Sequence, residues 1–280
     1  MGILLGSSML TFAQEENEEK DMRPVRFDWA TTILIDHQTV KNLPQGTWQY
    51  MIYHRFGKMD KGISDFWGIY APSNISMGIH YGITNKLSVG ISSEKNNKLQ
   101  SLNWKYNIIN QTRGGTIPVS VAYVGNMSVD TRPDEVFGQN YELTNRFSYN
   151  HSLIVARKFN DRLSLQAAVD YTHFNSVEEL TRHDVIAWHL GGRYRFIGEN
   201  SIVFEYTSPM DVNLNGYSNI DEFNPLAEPG LSFGWEWGTS THAFQFFAST
   251  YEHIVAQKNI AFNKNEIGDF LLGFNITVRF

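Results

Sequence analysis

The chain has 280 residues, a formal net charge of -6 and no cysteine. The missing cysteines exclude disulfides, thiolate metal sites and cysteine catalysis, and the lack of a basic cluster argues against a nucleic-acid partner. No window approaches the roughly 20 apolar residues that a transmembrane helix needs, yet aromatic residues make up 14% of the chain and charged residues only 19%.

Residues 1–13 are predicted to form a cleaved signal peptide. Their short apolar stretch ends in Thr11 and Ala13, which fit the small-x-small cleavage rule and place the mature start at Gln14. The Lys or Arg residues that usually precede such a stretch are missing, so the true start is expected further upstream; a frayed apolar N-terminus is the alternative. Residues 14–46 then precede the first predicted strand.

From residue 47 onward, apolar and polar residues alternate in segments of about ten residues, the pattern of strands that cross a membrane. Because successive side chains of a strand point to opposite faces, one face would meet lipid and the other the lumen. Twelve such segments lie at 48–56, 75–83, 87–91, 102–108, 117–123, 147–159, 163–171, 186–196, 202–206, 231–237, 242–250 and 270–280. The eleventh, with Phe246 and Phe247 adjacent, shows no clear inward face.

The connections between these segments alternate in length. Tight turns rich in Asn, Asp, Gly and Ser lie at 84–86, 160–162, 198–200 and 238–240, with a slightly longer one at 110–116. Longer connections lie at 58–74, 127–140, 175–184, 209–230 and 252–266, and only the one at 93–99 is short. Residues 47–280 are therefore predicted to form an all-β, up-and-down antiparallel transmembrane barrel of about twelve strands, with short periplasmic turns and longer outer loops.

A water-soluble β-sandwich or lipocalin-like barrel would also alternate, but it would bury its aromatic face. In this sequence the apolar face recurs in nearly every strand, and its Trp, Tyr and Phe residues concentrate near strand ends, as in interfacial girdles. The pattern favours a barrel in the outer membrane, with its lipid as a partner.

The C-terminus resembles the recognition signal of bacterial outer-membrane proteins, because Phe280 follows apolar residues at every second position. This resemblance implies that the barrel-assembly machinery reads the last strand. A second resemblance spans about residues 28 to 280 and rests on the segments 30–40, 43–47, 54–57, 81–90, 105–106 and 110–111. These segments are similar to a family of outer-membrane β-barrels of unknown function from Bacteroidota, DUF5777. The family often has Asn-Gly-His where this chain has Ile35-Asp36-His37. The resemblance implies fold and compartment, but no substrate and no catalytic residues.

If the apolar residues face lipid, the alternate polar residues line the lumen. The candidate lumen-lining residues are Arg55, His80, Lys105, Asp170, His189, Arg193, Arg195, Glu205, Glu236 and Arg279. Pairing Ile197 with Ser201 around the turn at 198–200 puts Arg193 opposite Glu205, which predicts an interior ion pair. Such charges either form a constriction that selects solutes or a salt-bridge network that fills a narrow barrel.

Residues 14–46 admit two placements. They are semi-polar and contain Trp29 and the apolar run Ile33-Leu34-Ile35, so they either fold into the lumen as a plug or form a periplasmic tail.

The sequence predicts no enzyme, no cofactor and no metal site. His151 and Ser152 are adjacent, but neighbouring strand residues face opposite sides and cannot form a nucleophile–base pair. The leading hypothesis is a pore or transporter for small solutes. The alternatives are a closed barrel with a structural or docking role and, more weakly, a lipid-modifying enzyme.

Overall fold

A computed structural model of the chain describes residues 21–26, 29–178, 181–212 and 226–280. In these residues twelve β-strands form one closed antiparallel barrel, which confirms the predicted fold class. The strands are β1 (Trp48–Lys58), β2 (Asn74–Gly82), β3 (Leu87–Glu94), β4 (Leu99–Ile109), β5 (Ser120–Asp130), β6 (Phe147–Lys158), β7 (Leu163–Phe174), β8 (Asp184–Ile197), β9 (Asn200–Met210), β10 (Gly230–Gly238), β11 (His242–Ser249) and β12 (Leu271–Arg279). The predicted signal peptide lies outside the described residues.

The barrel closes because its first strand pairs with its last. Along this seam β1 and β12 are antiparallel, with Tyr50 opposite Val278. Trp48 and Phe280 exchange two backbone hydrogen bonds of 2.8 and 3.0 Å, which extends the seam to residue 280. Every strand has two neighbours, so the sheet has no unpaired edge.

The outer wall of the barrel is apolar, as the alternation predicts. Large side chains exposed on it include Met77, Ile91, Leu153, Val169, Leu190, Phe204, Trp235 and Phe246. Aromatic pairs lie near the ends of the strands: the ring centroids of Trp48 and Tyr81 are 4.6 Å apart, and those of Trp237 and Phe244 are 5.5 Å apart. An apolar wall with aromatic ends is what a lipid environment requires.

The connections fall at two ends of the barrel. The short-turn end carries the connections at 83–86, 110–119, 159–162, 198–199 and 239–241, together with the start of β1 and the end of β12. The long-loop end carries the connections that follow β1, β3, β5, β7, β9 and β11. Long and short connections therefore alternate, with 95–98 as the short exception that the sequence predicts.

The last long connection contains one short helix, α1 (Ala256–Phe262), which lies over the long-loop end. Its Ile260 is buried against Val185 and Ala187 of β8, and its Gln257 is buried too. In the described part of the chain, no helix is long and apolar enough to span a membrane.

Strand β11 has a clear inward face, contrary to the sequence-based expectation. Ala243, Gln245, Phe247 and Ser249 are all buried, whereas Phe246 points outward. The large Phe247 ring fits inside because its neighbours in β10 and β12 are glycines, and a Cβ on either would overlap Phe247. In the sequence the adjacent Phe246 and Phe247 conceal this face, because one of the two must point inward.

The predicted register between β8 and β9 is wrong by two residues. Ile197 pairs with Asn200 rather than Ser201, and an irregularity between Arg195 and Ile197 shifts the rest of the ladder. The turn is therefore two residues long, with Gly198 at φ 53°, a conformation that glycine adopts readily. Glu205 consequently lies opposite Gly191, and Arg193 does not lie opposite it.

Candidate functional site: the lumen and its two inserted segments

A hairpin formed by residues 32–39, the inserted hairpin, occupies the lumen. Its two arms are joined by the amide of Leu34, which donates to the His37 carbonyl at 2.8 Å, and by the amide of Thr39, which donates to Thr32 at 2.9 Å. Ile35 at its tip has no exposed surface. The hairpin and the flanking residues, 29–46, contact the inner wall, and we refer to them as the N-terminal plug.

Apolar residues of the plug pack against small or branched side chains that point inward. The cluster consists of Trp29, Leu34, Ile35 and Val40 from the plug and Ala122, Val124, Ile154, Ala156, Ala168, Val203 and Phe247 from the strands. Burying this surface stabilises the inserted position. The lumen is therefore partly apolar, where the sequence pattern alone suggests a polar lining.

The tip of the hairpin wraps around one carboxylate. Glu205 of β9 accepts hydrogen bonds from three successive backbone amides, at 3.2 Å from Ile35, 2.6 Å from Asp36 and 3.3 Å from His37. Successive amides that converge in this way form an anion-binding concavity. Glu205 is buried, so these amides compensate a charge that would otherwise be costly to bury.

Asp36 binds the same tip to β10, β11 and β1, which follow β9 around the wall. Its carboxylate forms a 2.6 Å ion pair with Arg55 of β1 and accepts from Ser232 at 2.8 Å and from Ser249 at 3.0 Å. The Arg55 guanidinium also lies 4.4 Å from the centroid of the Phe247 ring. The hairpin tip is thus bound to one continuous arc of the wall, from β9 to β1, through charged groups.

His37 completes the polar contacts of the tip. Its Nε2 lies 3.1 Å from both carboxylate oxygens of Asp170, its Nδ1 lies 2.9 Å from the Gln38 carbonyl, and its ring stacks on His189 at 3.8 Å. Both ring nitrogens therefore face acceptors. A protonated imidazolium donates from both nitrogens and so satisfies both acceptors. Burial alone would lower the pKa of His37, but the Asp170 carboxylate outweighs it and raises that pKa.

This cluster does not have the geometry of a catalytic triad. The hydroxyl of Ser152 lies 3.3 Å from Nε2 of His37, the same nitrogen that faces Asp170. In a triad the nucleophile and the carboxylate use different nitrogens of the imidazole. His151, the neighbour of Ser152, bonds instead to the Tyr123 hydroxyl, so the two residues do face opposite sides.

Strand side chains also donate to plug carbonyls. Lys105 donates to Thr32 at 2.8 Å, Asn275 donates to Ile35 at 2.9 Å, and Arg279 donates to Ala30 at 3.1 Å. These bonds satisfy backbone groups that the hairpin would otherwise bury without partners.

Arg193 pairs with a different partner from the predicted one. Its Nε lies 2.6 Å from Glu236 of β10, and the predicted ion pair with Glu205 is wrong because of the register shift in β8. Glu236 also accepts from Gln245 at 2.9 Å, and Gln245 in turn donates to the Leu34 carbonyl. The pair is thus linked to the plug through one amide.

The other two candidates occupy less central positions. Arg195 is only half-buried and lies 3.8 Å from Glu199 beside the short turn. His80 packs over Gly90, where a Cβ would overlap its ring, and lines two small cavities. Nine of the ten candidates therefore contact the plug, another candidate or a lumen cavity, and Arg195 is the exception.

A second segment closes the long-loop end. Glu94, buried at the end of β3, accepts from the amides of Ile254 at 3.2 Å and Val255 at 2.8 Å, just before α1. Gln257 of α1 donates to Asn126 at 2.7 Å and to Ser128 at 2.9 Å. We call residues 250–270 the capping loop.

Little free space remains between the plug and the capping loop. One cavity of about 20 Å³ lies beside Lys105, and another of about 80 Å³ lies between the hairpin tip and Val255. Each holds only a few water molecules. Neither of these cavities is large enough for an organic solute.

Sequence reasoning missed several residues that bind the two segments. Glu94, Gln245 and Asn275 lie at inward positions of strands that were recognised, so the two-residue period extends to them. Gln245 and Asn275 carry no charge that would single them out, and Glu94 lies just beyond the predicted third segment. Asp36 and His37 precede the barrel and carry no periodic signal.

A closed sheet with an apolar outer wall and a polar, occupied interior defines a transmembrane β-barrel. The sequence matches the family described as a membrane-bound β-barrel domain, DUF5777, over residues 29–280, and the chain belongs to this family. Membrane-spanning barrels of this kind are outer-membrane proteins, which locates the chain in the outer membrane. The Bacteroidota origin stays a prediction. Among curated proteins, none matches the chain.

Several solved structures are similar in fold at low sequence identity. The outer-membrane channel COG4313 from Pseudomonas putida F1 is 10% identical, with a TM-score of 0.48 and coverage of 86% of this chain and 98% of that one. The NanC porin is 10% identical, with a TM-score of 0.48 and coverage of 83% and 98%. The KdgM porin is 9% identical, with a TM-score of 0.45 and coverage of 82% and 98%.

Proposed function

We propose that the protein is a non-enzymatic outer-membrane channel for small polar solutes, closed at rest by the N-terminal plug. One observation carries this proposal: the plug fills the lumen without being part of the sheet. The seam between β1 and β12 closes the barrel by itself, so the plug can leave without breaking a strand pair.

The size of the barrel supports the same function. Eight strands leave an interior that side chains fill, whereas 16 to 18 strands leave an aqueous channel. A barrel of twelve strands lies between these cases. Removal of the plug would therefore uncover a passage that the strand side chains alone do not fill.

The lumen would then present charges of both signs to a solute. Arg55, Lys105 and Arg193 would face Asp170, Glu205 and Glu236 around the space that the hairpin vacates. Rings of charged side chains select ions and polar solutes by sign and position. A mixed ring favours polar solutes with modest net charge over apolar ones.

The second candidate is a barrel that stays closed and serves as a structural or docking protein. The apolar cluster between plug and wall favours it, because eleven buried residues stabilise the inserted position. Under this function the plug is a permanent core, and the loops of the long-loop end are the working surface.

Conductance in planar lipid bilayers separates the two candidates. The wild-type protein should give brief, rare openings. A variant lacking residues 29–41 should give a stable conductance, and adding Arg193→Ala to that variant should change the conductance. A variant lacking residues 21–26, which precede the plug, should behave like the wild type. The variant lacking residues 29–41 could instead be folded, as shown by its resistance to heat in detergent, and show no conductance. That result would favour the second candidate, the barrel that stays closed. Turnover of labelled phospholipid would contradict the non-enzymatic part.

For partners, we propose outer-membrane lipid around the apolar wall and the barrel-assembly machinery at the last strand. The support for the second is the position of Phe280, which lies at the β1–β12 seam. A Phe280→Ala variant should assemble more slowly on proteoliposomes that contain the machinery.

A further inference from the structure

A cavity of about 510 Å³ lies at the long-loop end, outside the capping loop. Its volume is within the range of small-molecule sites, about 300–1,000 Å³. Its apolar walls come from Val136, Phe137, Phe147, Phe174 and Phe262. Unlike the two small cavities of the lumen, it is large enough for an organic solute.

Lys258 of α1 faces this cavity. Its Nζ lies 5.0 Å from the centroid of the Phe262 ring and 5.4 Å from that of Phe174. Among the described residues, no carboxylate lies within 4.0 Å of this ammonium group. Burial lowers the pKa of Lys258, and burial together with the nearby Lys258 charge lowers the pKa of His253 to about 4.

The two arginines that line the cavity have partners of their own. Arg132 binds Asp130 through two nitrogens, and Arg146 binds Asp134. Two other acidic residues of the lining, Glu178 and Glu252, are exposed at its edge. Lys258 is thus a partly desolvated cation beside two aromatic rings that pack edge to face.

The charges of Asp130, Glu94 and Glu178 offset part of this desolvation, but no carboxylate contacts the Lys258 ammonium group, so an anion that approaches it is stabilised. The aromatic rings beside it offer an apolar surface for the remainder of such a ligand. We propose that this cavity binds a small organic anion, whose carboxylate or phosphate lies against Lys258 and whose apolar part packs against Phe174 and Phe262. This site does not depend on whether the barrel conducts.

Isothermal titration calorimetry on the full-length protein in lipid nanodiscs tests the proposal, with empty nanodiscs as the blank. The probes are benzoate and phenyl phosphate, with benzyl alcohol as the uncharged analogue. We expect saturable binding of at least one anion and affinity at least about tenfold weaker for benzyl alcohol, the equivalent of roughly one charge-assisted contact. The anion that binds more tightly shows whether the site prefers a carboxylate or a phosphate.

Variants locate the binding. Lys258→Gln should weaken the bound anion by at least about tenfold, Lys258→Arg should retain much of the affinity, and Lys264→Gln, at an exposed lysine lining the same cavity, should change it less than about threefold. Circular dichroism and heat resistance check that each variant is folded. If neither anion binds, if benzyl alcohol binds equally well, or if Lys258→Gln binds like the wild type, the proposal is overturned. Should Lys258→Gln not fold, loss of binding in folded Lys258→Arg, which keeps the positive charge, overturns the proposal.

Discussion

Glu94 and Glu205 perform the same task at two levels of the barrel, Glu205 in the middle of β9 and Glu94 at the long-loop end of β3. Each is a buried inward-facing glutamate whose carboxylate accepts successive backbone amides of a segment outside the sheet. Glu205 binds the hairpin that enters from the short-turn end, and Glu94 binds the capping loop at the long-loop end. The barrel is therefore closed twice, by the same kind of contact.

The first prediction concerns the Glu205 contact. Glu205→Gln replaces one acceptor oxygen by an NH₂ group, which faces amide donors and cannot accept from them. Hydrogen bonds to charged groups contribute about 1.5–3 kcal/mol each, so the inserted hairpin should open at least about tenfold more often. Hydrogen exchange of the amides of residues 35–37 measures this change. Glu199→Gln, at an exposed short turn, is the control, and equal exchange in both variants would refute the prediction.

The second prediction concerns the register of β8. A double-mutant cycle between Arg193→Met and Glu236→Met should give a coupling energy larger, by at least about 1 kcal/mol, than a cycle between Arg193→Met and Glu205→Met. The reason is that residues in direct contact couple, whereas separated ones add. Urea unfolding in lipid vesicles supplies the four free energies of each cycle. Equal couplings would be inconsistent with the 2.6 Å contact between Arg193 and Glu236.

The third prediction concerns pH. Because Asp170 raises the pKa of His37 in the folded protein, protonated His37 stabilises the inserted hairpin fully below its ordinary pKa of about 6.5. This contribution is lost as the pH rises through the folded-state pKa. His189 and Glu205 also face the ring, and their charges modulate the midpoint.

The measurement for this third prediction is the unfolding free energy of the wild type minus that of His37→Asn, at several pH values. The difference should be large at about pH 5 and should shrink as the pH rises toward about 9. A difference that stays constant with pH would show that His37 acts only through packing and neutral hydrogen bonds.

The fourth prediction concerns the packing of Phe247. Gly273→Ala should destabilise the barrel by about 1–3 kcal/mol, because the added Cβ would overlap the Phe247 ring and lie 2.8 Å from the His54 carbonyl oxygen. Gly238→Ala is the matched control, since its Cβ would make only an ordinary 3.4 Å contact with Ala30. Urea unfolding compares the two. Similar stabilities would mean that Phe247 turns away readily.

The two-residue period predicts the barrel well because lipid imposes it on every strand. The outward residues of β12, such as Phe274 and Ile276, follow that period without interruption. The period cannot show how an irregularity shifts register, so Arg193 was assigned the wrong partner. A register error of two residues leaves the face of each side chain unchanged and alters only the pairing.

The interior was harder to predict, because the plug and the wall share it. Leu34 and Ile35 are buried apolar residues, like those of any protein core. No pattern in their own segment indicates which strands they contact. Val124 and Ala168 point inward and match them. An inward apolar residue in a barrel of this size therefore indicates that something fills the lumen, and this signal was present in the sequence.

The position of the plug before β1 constrains the order in which the protein is built. The hairpin leaves the ribosome before any strand that holds it, yet its partners include Glu205 of β9, Ser249 of β11 and Asn275 of β12. Contacts so distant in sequence form slowly, since each closes a long stretch of chain. The contacts that hold the first residues can therefore be completed only once the final strand is in place, which makes the docking of the hairpin a late event in biogenesis.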